Sequence, residues 1–270
     1  MTKKDITLRT TTALLCAFAF LPARSSAFSY YVDAPTKYTW GNCGGGDVTD
    51  WSGPIRNGLD ALGWSGRYYT EYLAWPQDFT DMNLDTWGDD HLMADSDSVA
   101  IFMGHGNTGR LHFSVSRYGA CDAGFNADFS YTTMAMGDLG GKMAATMLAM
   151  ACCFMNTHQM HTYSNHHNMN QLLGFGSIAS GSAAMVQNFW NGTGGTGNNA
   201  DSWLNKMEDR PGWFSGDNTT VVMTRGTSQD DLNWKRTNCG LKRLTCIYRS
   251  GGGWARFDWY DHGCSGCSGC

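Results

Sequence analysis

Two short apolar runs in this chain stop at chemically able residues. Residues 98–106 (SVAIFMGHG) carry an unbroken hydrophobic stretch into Gly104, His105 and Gly106. Residues 147–153 (MLAMACC) carry a second into Cys152 and Cys153. A free thiol, with a pKa of about 8.5, supplies little thiolate at neutral pH, so a cysteine nucleophile needs a base or an ion-pair partner. An imidazole can take the thiol proton and later return it to a leaving group. The oxyanion that forms on the attacked carbonyl needs backbone donors, and a glycine after the histidine lets its N–H approach closely. His105 is therefore the candidate base, Cys152 the candidate nucleophile, and the Gly106 N–H a candidate oxyanion donor. Cys153 is an alternative nucleophile, or a partner that silences Cys152 in a vicinal disulfide. Taken singly, each is better explained as a turn histidine or a buried structural cysteine; it is the pair, with matching strands and spacing, that points to a dyad.

The chemistry requires two strands that end side by side. Residues 99–103 are apolar throughout and partly β-branched, which predicts a central strand covered on both faces. Residues 147–151 favour helix by their Ala and Met content; their abrupt stop at Cys152 argues instead for a second buried strand. Parallel neighbours would bring His105 and Cys152 to the carboxyl edge of the sheet, where open α/β sheets place their sites.

The flanking chain supplies the rest of such a fold. Residues 28–40 (FSYYVDAPTKYTW) are aromatic and β-prone, and residues 41–46 (GNCGGG) form a loop. Residues 52–54 start a helix, with Ser52 or Gly53 capping, Pro54 in the first turn, and Ile55, Leu59 and Leu62 along one apolar face. Residues 68–75 read as a strand or a short aromatic helix, and residues 111–117 alternate like an exposed hairpin strand. Strands are expected within 168–180 and at 219–224, and a helix begins at Ala200. Asp89, Asp90, Asp95 and Asp97 read as a solvated approach to the central strand rather than a calcium loop. Trp190 and Trp203 read as core.

Composition bounds the setting. Lys3, Lys4 and Arg9 precede an apolar segment of about a dozen residues, too short for a bilayer, which needs roughly 20. Ser25, Ser26 and Ala27 then offer small residues for cleavage, so residues 1–27 read as a secretory signal peptide and residues 28–270 as one α/β domain with a Cys-rich tail. Such a mature chain is long enough to bury about 70% of its unfolded surface. Removing a leader with Lys3, Lys4, Arg9 and Arg24 against Asp5 moves the net charge from −5 to about −8. An acidic chain with scattered basic residues argues against a nucleic-acid partner, and after signal cleavage no further run approaches membrane length. The expected location is secreted or periplasmic. Ten cysteines occur, and nine remain once Cys16 leaves with the leader. Most should pair in an oxidising compartment, with Cys264, Cys267 and Cys270 of the tail drawing on Cys43, Cys121, Cys239 or Cys246. Cys239 and Cys246 are also close enough to bridge a hairpin.

The two strand endings, Met103-Gly104-His105-Gly106 and Met150-Ala151-Cys152, resemble those of the caspase–gingipain clan of cysteine peptidases. Their separation of 47 positions is similar to the roughly 50 of caspases. The resemblance covers residues 98–154. It implies a three-layer α/β sandwich with a mostly parallel central sheet, a His105/Cys152 dyad, and oxyanion donors from the Gly106 and Cys152 N–H groups. It further implies peptide-bond hydrolysis through a thioester, a protein or peptide substrate, and no cofactor. The loop holding Ser180 and Gly181 resembles in position the floor of the clan's first specificity pocket. The chain departs from the clan in lacking the Gln-Ala-Cys-Arg-Gly ending. The flanking patterns, Trp40 to Cys43 and residues 172–176, look like an uncharacterised group of exported bacterial proteins with the same core.

Two other readings stand beside this one. A catalytically inactive relative on the same fold would serve as a binding or interaction protein. A zinc-dependent hydrolase would draw on His158, His161, His166 and His167. No His-Glu-x-x-His pattern accompanies those histidines, and no acidic residue lies between Asp138 and Asp201. A polar loop over the site is the preferred reading of the cluster, with no metal.

Overall fold

The structure is a computed structural model, and it describes residues 28–124, 132–136, 144–155, 169–177, 179, 181–194, 197–208, 218–242, 246 and 251–260. The first strand, β1 (Ser29–Ala34), is followed by helix α1 (Gly53–Ala61), β2 (Ser65–Thr70) and β3 (Val99–Met103). A small antiparallel module comes next, with β4 (His105–Asn107), β5 (Arg110–Arg117), β6 (Ala120–Gly124) and β7 (Thr132–Thr133). The chain then returns through β8 (Thr146–Met150), β9 (Gln171–Phe175), α2 (Ala183–Gly192), α3 (Asn199–Lys206), β10 (Thr220–Gly226), α4 (Gln229–Asn238) and β11 (Trp254–Tyr260).

Seven strands form the main sheet in the order β11-β10-β9-β8-β3-β1-β2. From β2 to β9 every neighbouring pair is parallel; β10 runs antiparallel to both β9 and β11. The architecture is thus α/β with a mostly parallel central sheet. All residues of β3, β8 and β9 are buried, which is why these runs show no polar alternation: both sheet faces are covered. Alternate side chains enter two cores. Val32, Ile101, Met103, Leu148 and Met150 pack with Ile55, Leu59, Val186, Phe189 and Trp203 from α1, α2 and α3. Tyr31, Ala100, Phe102, Met147 and Ala149 pack on the other face with Phe79, Phe113, Phe154 and Met155. The second covering layer includes β5 and the 3-10 turn Pro76–Phe79. Trp203, Phe102, Phe113 and Phe189 are among the largest fully buried side chains, each contributing ~1.5–3 kcal/mol through burial.

Several expectations need correction. In α1, Ile55 and Leu59 are buried, but Leu62 lies beyond the helix and is 49% exposed. Residues 68–75 divide between the end of β2 and the 3-10 turn Glu71–Leu73. Asp90, Asp95 and Asp97 are buried, not solvated. Asp97 is gripped by the Arg67 guanidinium from β2, and Asp95 accepts from the Ala144 N–H at 2.9 Å. Cys43 pairs with Cys121, and Cys239 with Cys246, so these four are not partners of the tail cysteines. Trp190 and Trp203 are core residues, as expected. The segments 1–27 and 261–270, the proposed leader and most of the Cys-rich tail, lie outside the described residues. Among the described residues, no helix is long and apolar enough to cross a membrane.

Candidate functional site

Strands β3 and β8 are parallel neighbours in a register that sets Val99 opposite Thr146 and Met103 opposite Met150. His105 lies two residues past Met103, and Cys152 two past Met150, so both leave the same edge of the sheet. The Gly104 N–H still donates to the Met150 carbonyl at 3.3 Å, carrying the pairing beyond the strand ends. The glycines flanking His105 are required by close approach. A Cβ on Gly104 would stand 2.5 Å from the Tyr38 hydroxyl; one on Gly106 would stand 2.7 Å from the Ala151 Cβ and 2.9 Å from the Cys152 carbonyl. The base-bearing segment is therefore pressed directly onto the segment that carries the thiol.

His105 is held from three sides. Its backbone N–H donates to the Tyr38 hydroxyl at 2.8 Å. Its ring meets the Tyr38 ring edge-on, with centroids 4.5 Å apart. Its Nε2 lies 2.6 Å from the Gly46 carbonyl. A carbonyl can only accept, so Nε2 carries the hydrogen of that bond and Nδ1 of the neutral ring is left as the proton acceptor. A nucleophile's base oriented by a third group is the arrangement on which cysteine and serine catalysis rests.

Cys152 is a free, half-buried thiol in the turn that ends β8. Its sulfur accepts from the Ala179 N–H at 3.3 Å and donates to the Ala179 carbonyl at 3.7 Å. Burial pushes its pKa above the ordinary thiol value, against the lowering effect of the Ala179 N–H. The resting group is thus a thiol that needs a base, not a preformed thiolate. Cys153 is placed differently. It is buried, holds φ at 55°, donates its N–H to the Ser177 carbonyl at 2.7 Å, and is disulfide-bonded. A bonded sulfur offers no thiolate, which removes Cys153 as an alternative nucleophile, and a free Cys152 removes the vicinal bridge. The left-handed backbone at this non-glycine position costs ~1–2 kcal/mol and makes the turn sharp.

A second imidazole stands beside the first. His105 and His112 are directly paired across β4 and β5, and His112 and Asp122 across β5 and β6. His112 Nδ1 is 2.6 Å from Asp122 Oδ1, and its Nε2 is 3.2 Å from the Gly44 carbonyl. Tyr38 is slotted into this row. It stacks on the His112 ring at 5.6 Å and donates its hydroxyl to the His112 carbonyl at 2.5 Å. Burial raises the Tyr38 phenol well above its ordinary range, and Glu71, Asp122 and Cys152 add to the rise.

No known family model matches the chain, and no curated protein matches it at significant similarity.

The remaining predicted site residues are less directly engaged. A Cβ on Gly181 would stand 2.5 Å from the Trp51 ring, so this glycine is a close-packing position beside an aromatic wall. Ser180 lies outside the described residues, as do His158, His161, His166 and His167. Among the described residues, no group of three or more His, Cys, Asp or Glu side chains is placed to hold a metal ion.

Sequence reasoning missed Tyr38, Gly46, His112 and Asp122. Only the triple glycine of residues 44–46 advertised itself, and it read as a plain loop. The Cys43–Cys121 disulfide, the Cys43 N–H on the Ser114 carbonyl at 3.2 Å, and reciprocal bonds between Asn42 and Ser116 fasten that loop to β5 and β6.

Proposed function

We propose that the chain is an exported cysteine peptidase with a caspase–gingipain-like core, in which His105 and Cys152 form the catalytic dyad. One observation carries the reading: β3 and β8 are adjacent, parallel and in register, and deliver an oriented imidazole and a free thiol to one sheet edge. The substrate is a protein or peptide, and no cofactor takes part. Nδ1 of His105 takes the Sγ proton as sulfur attacks the scissile carbonyl carbon. The tetrahedral oxyanion lies against the Gly106 and Cys152 N–H groups. As the C–N bond breaks, His105 returns the proton to the leaving amine and a thioester remains. Water, deprotonated by His105, then hydrolyses the thioester and restores the thiol. Burial of Cys152 fits this order, because a neutral thiol survives until substrate and base act together.

The test is active-site labelling joined to peptide hydrolysis. Iodoacetamide should modify Cys152 and leave Cys153 unmodified in the folded, unreduced protein. Cys152→Ala should abolish hydrolysis of a mixed peptide library, and His105→Ala should lower it by ~10³-fold or more, as loss of a dyad member does. Failure to label Cys152, or hydrolysis surviving Cys152→Ala, would remove the peptidase reading. An unlabelled, inactive protein would instead stand as a binding module on the same fold.

A further inference from the structure

We propose that His112 and Asp122 are positioning residues for His105, acting through the carbonyls of residues 44–46, a reading that rests on His105 and Cys152 being the dyad. Both ring nitrogens of His112 face acceptors, the Asp122 carboxylate at one and the Gly44 carbonyl at the other. Making both bonds at once requires a hydrogen on each nitrogen, hence the imidazolium. That cation ties Gly44 to β6. Two residues further on, the Gly46 carbonyl receives the His105 Nε2–H. The path from Asp122 to His105 therefore runs through His112, Gly44 and Gly46. Tyr38 backs it by touching both rings. Neither His112 nor Asp122 meets the thiol in this path; they act by fixing the tautomer and angle of the ring that does.

The clamp carries a pH dependence with a definite sign. The hydrogen bond to Asp122 raises the His112 pKa above the ordinary imidazole value, and the Asp122 charge and the Gly44 carbonyl raise it further, against burial. The doubly bonded state therefore persists to higher pH than an unassisted imidazole allows and is lost as pH rises through that raised value. The groups facing His112 from the surrounding elements are Asp122 on β6, His105 on β4 and Tyr38 in the turn Tyr38–Trp40. Glu71 is near, but its carboxylate is occupied by the Thr36 hydroxyl at 2.7 Å and the Lys37 N–H at 2.6 Å. Asp47 is likewise held by Thr39 and Lys37. Asp122 alone supplies a directly bonded counter-charge to the His112 ring among the described residues.

The experiment uses the whole protein and two readouts that need no peptide substrate. The first is the iodoacetamide modification rate of Cys152 against pH; the second is the His105 tautomer by ¹⁵N NMR. Asp122→Asn keeps the shape of the carboxylate and removes its charge, so His112 loses its proton at lower pH. Its labelling rate should match wild type near pH 5.5 and fall behind, by up to about tenfold, as pH rises past the ordinary imidazole value of about 6.5. The Nε2–H tautomer signal of His105 should weaken over the same range. His112→Phe preserves the stack on Tyr38 and removes both hydrogen bonds; it should be slow at every pH, with its melting temperature near that of wild type. Should His112→Phe fail to fold, the Asp122→Asn profile decides alone. Superimposable profiles for Asp122→Asn and wild type would overturn the proposal. His105→Ala separates the two readings: if it leaves Cys152 labelling unchanged, the dyad falls and the positioning role with it. If it slows labelling while Asp122→Asn does nothing, only the positioning role falls.

Discussion

The Nε2 of His105 lies 2.6 Å from the carbonyl oxygen of Gly46. A carbonyl in this place fixes the ring as a carboxylate would, but contributes no full charge to the imidazolium that forms after proton transfer. Orientation, rather than ion pairing, is then its main effect. The position of residues 44–46 becomes the variable on which the proposed dyad depends.

Substitution at Gly45 should therefore be felt at the sulfur. Gly45 holds φ at 114°, and a Cβ there would stand 3.2 Å from the Tyr38 ring and 3.3 Å from the His105 ring. Gly45→Ala is expected to displace the His105 ring and slow Cys152 modification by ~10–100-fold, the scale of a misplacement of about 1 Å. Comparing the alkylation rate with the melting temperature checks this. A fall in stability with an unchanged rate would contradict it.

The two disulfides should separate cleanly. Cys43–Cys121 spans 78 positions and Cys239–Cys246 spans 7. On the loop-entropy account, removing the first costs about 4.5 kcal/mol and the second about 2.5 kcal/mol. Denaturant unfolding of the Cys43→Ala/Cys121→Ala and Cys239→Ala/Cys246→Ala variants measures the difference. Accessibility runs the other way: Cys43 and Cys121 are partly exposed, whereas Cys239 and Cys246 are buried. Mild reductant should thus open Cys43–Cys121 first. Since that bridge holds the glycine loop, Cys152 modification should fall on prolonged reduction, although brief reduction protects the thiol itself.

A buried pair of acids sets a second pH dependence, in stability. Asp33 on β1 and Asp78 in the turn Pro76–Phe79 are both buried. Burial first, and then the charge of Asp78, raises Asp33 well above the carboxylate range; burial pushes Asp78 up to about 6. A raised acid favours folding in its protonated form. Its contribution is complete below the unfolded pKa and is lost as pH rises through about 6. Wild type should lose roughly 2 kcal/mol relative to Asp78→Asn between pH 4 and pH 7. Unfolding free energies of both proteins at the two pH values provide the check, and parallel curves would refute it.

The parts of the fold that were legible in the letters are those decided by local burial. The runs at β3 and β8 announce strands because covering both faces leaves no room for polar alternation. Their abrupt ends announce His105 and Cys152. The helix α2 also carries its own signal, with Ser182 accepting from the Met185 N–H and Met185, Val186, Phe189 and Trp190 on one buried face, yet it went unread beside the glycine-rich stretch that follows. Helix α4 buries only Leu232 and Lys235, too few for a periodic pattern. Strand β11 closes the sheet as its edge, with Trp254 and Trp259 about half exposed. Asp95 and Asp97 misled for a different reason: the Ala144 N–H and the Arg67 fork that accommodate them come from distant parts of the chain. The row His105–His112–Asp122 depends on the register of three strands, which spacing alone does not set.

Gly46 differs from Gly45 in two respects: its backbone lies outside the positive-φ region, and a Cβ there meets nothing within 4 Å. Any residue placed at 46 would still present a carbonyl oxygen to His105. The proposed orienter is thus shielded from point mutation at its own position, because the genetic code has no letter that lacks it. It stays vulnerable to insertion, deletion or rerouting of the loop. Inheritance at this site acts on the path of the chain rather than on the identity of a side chain, and a search for the orienter by residue type would pass over it.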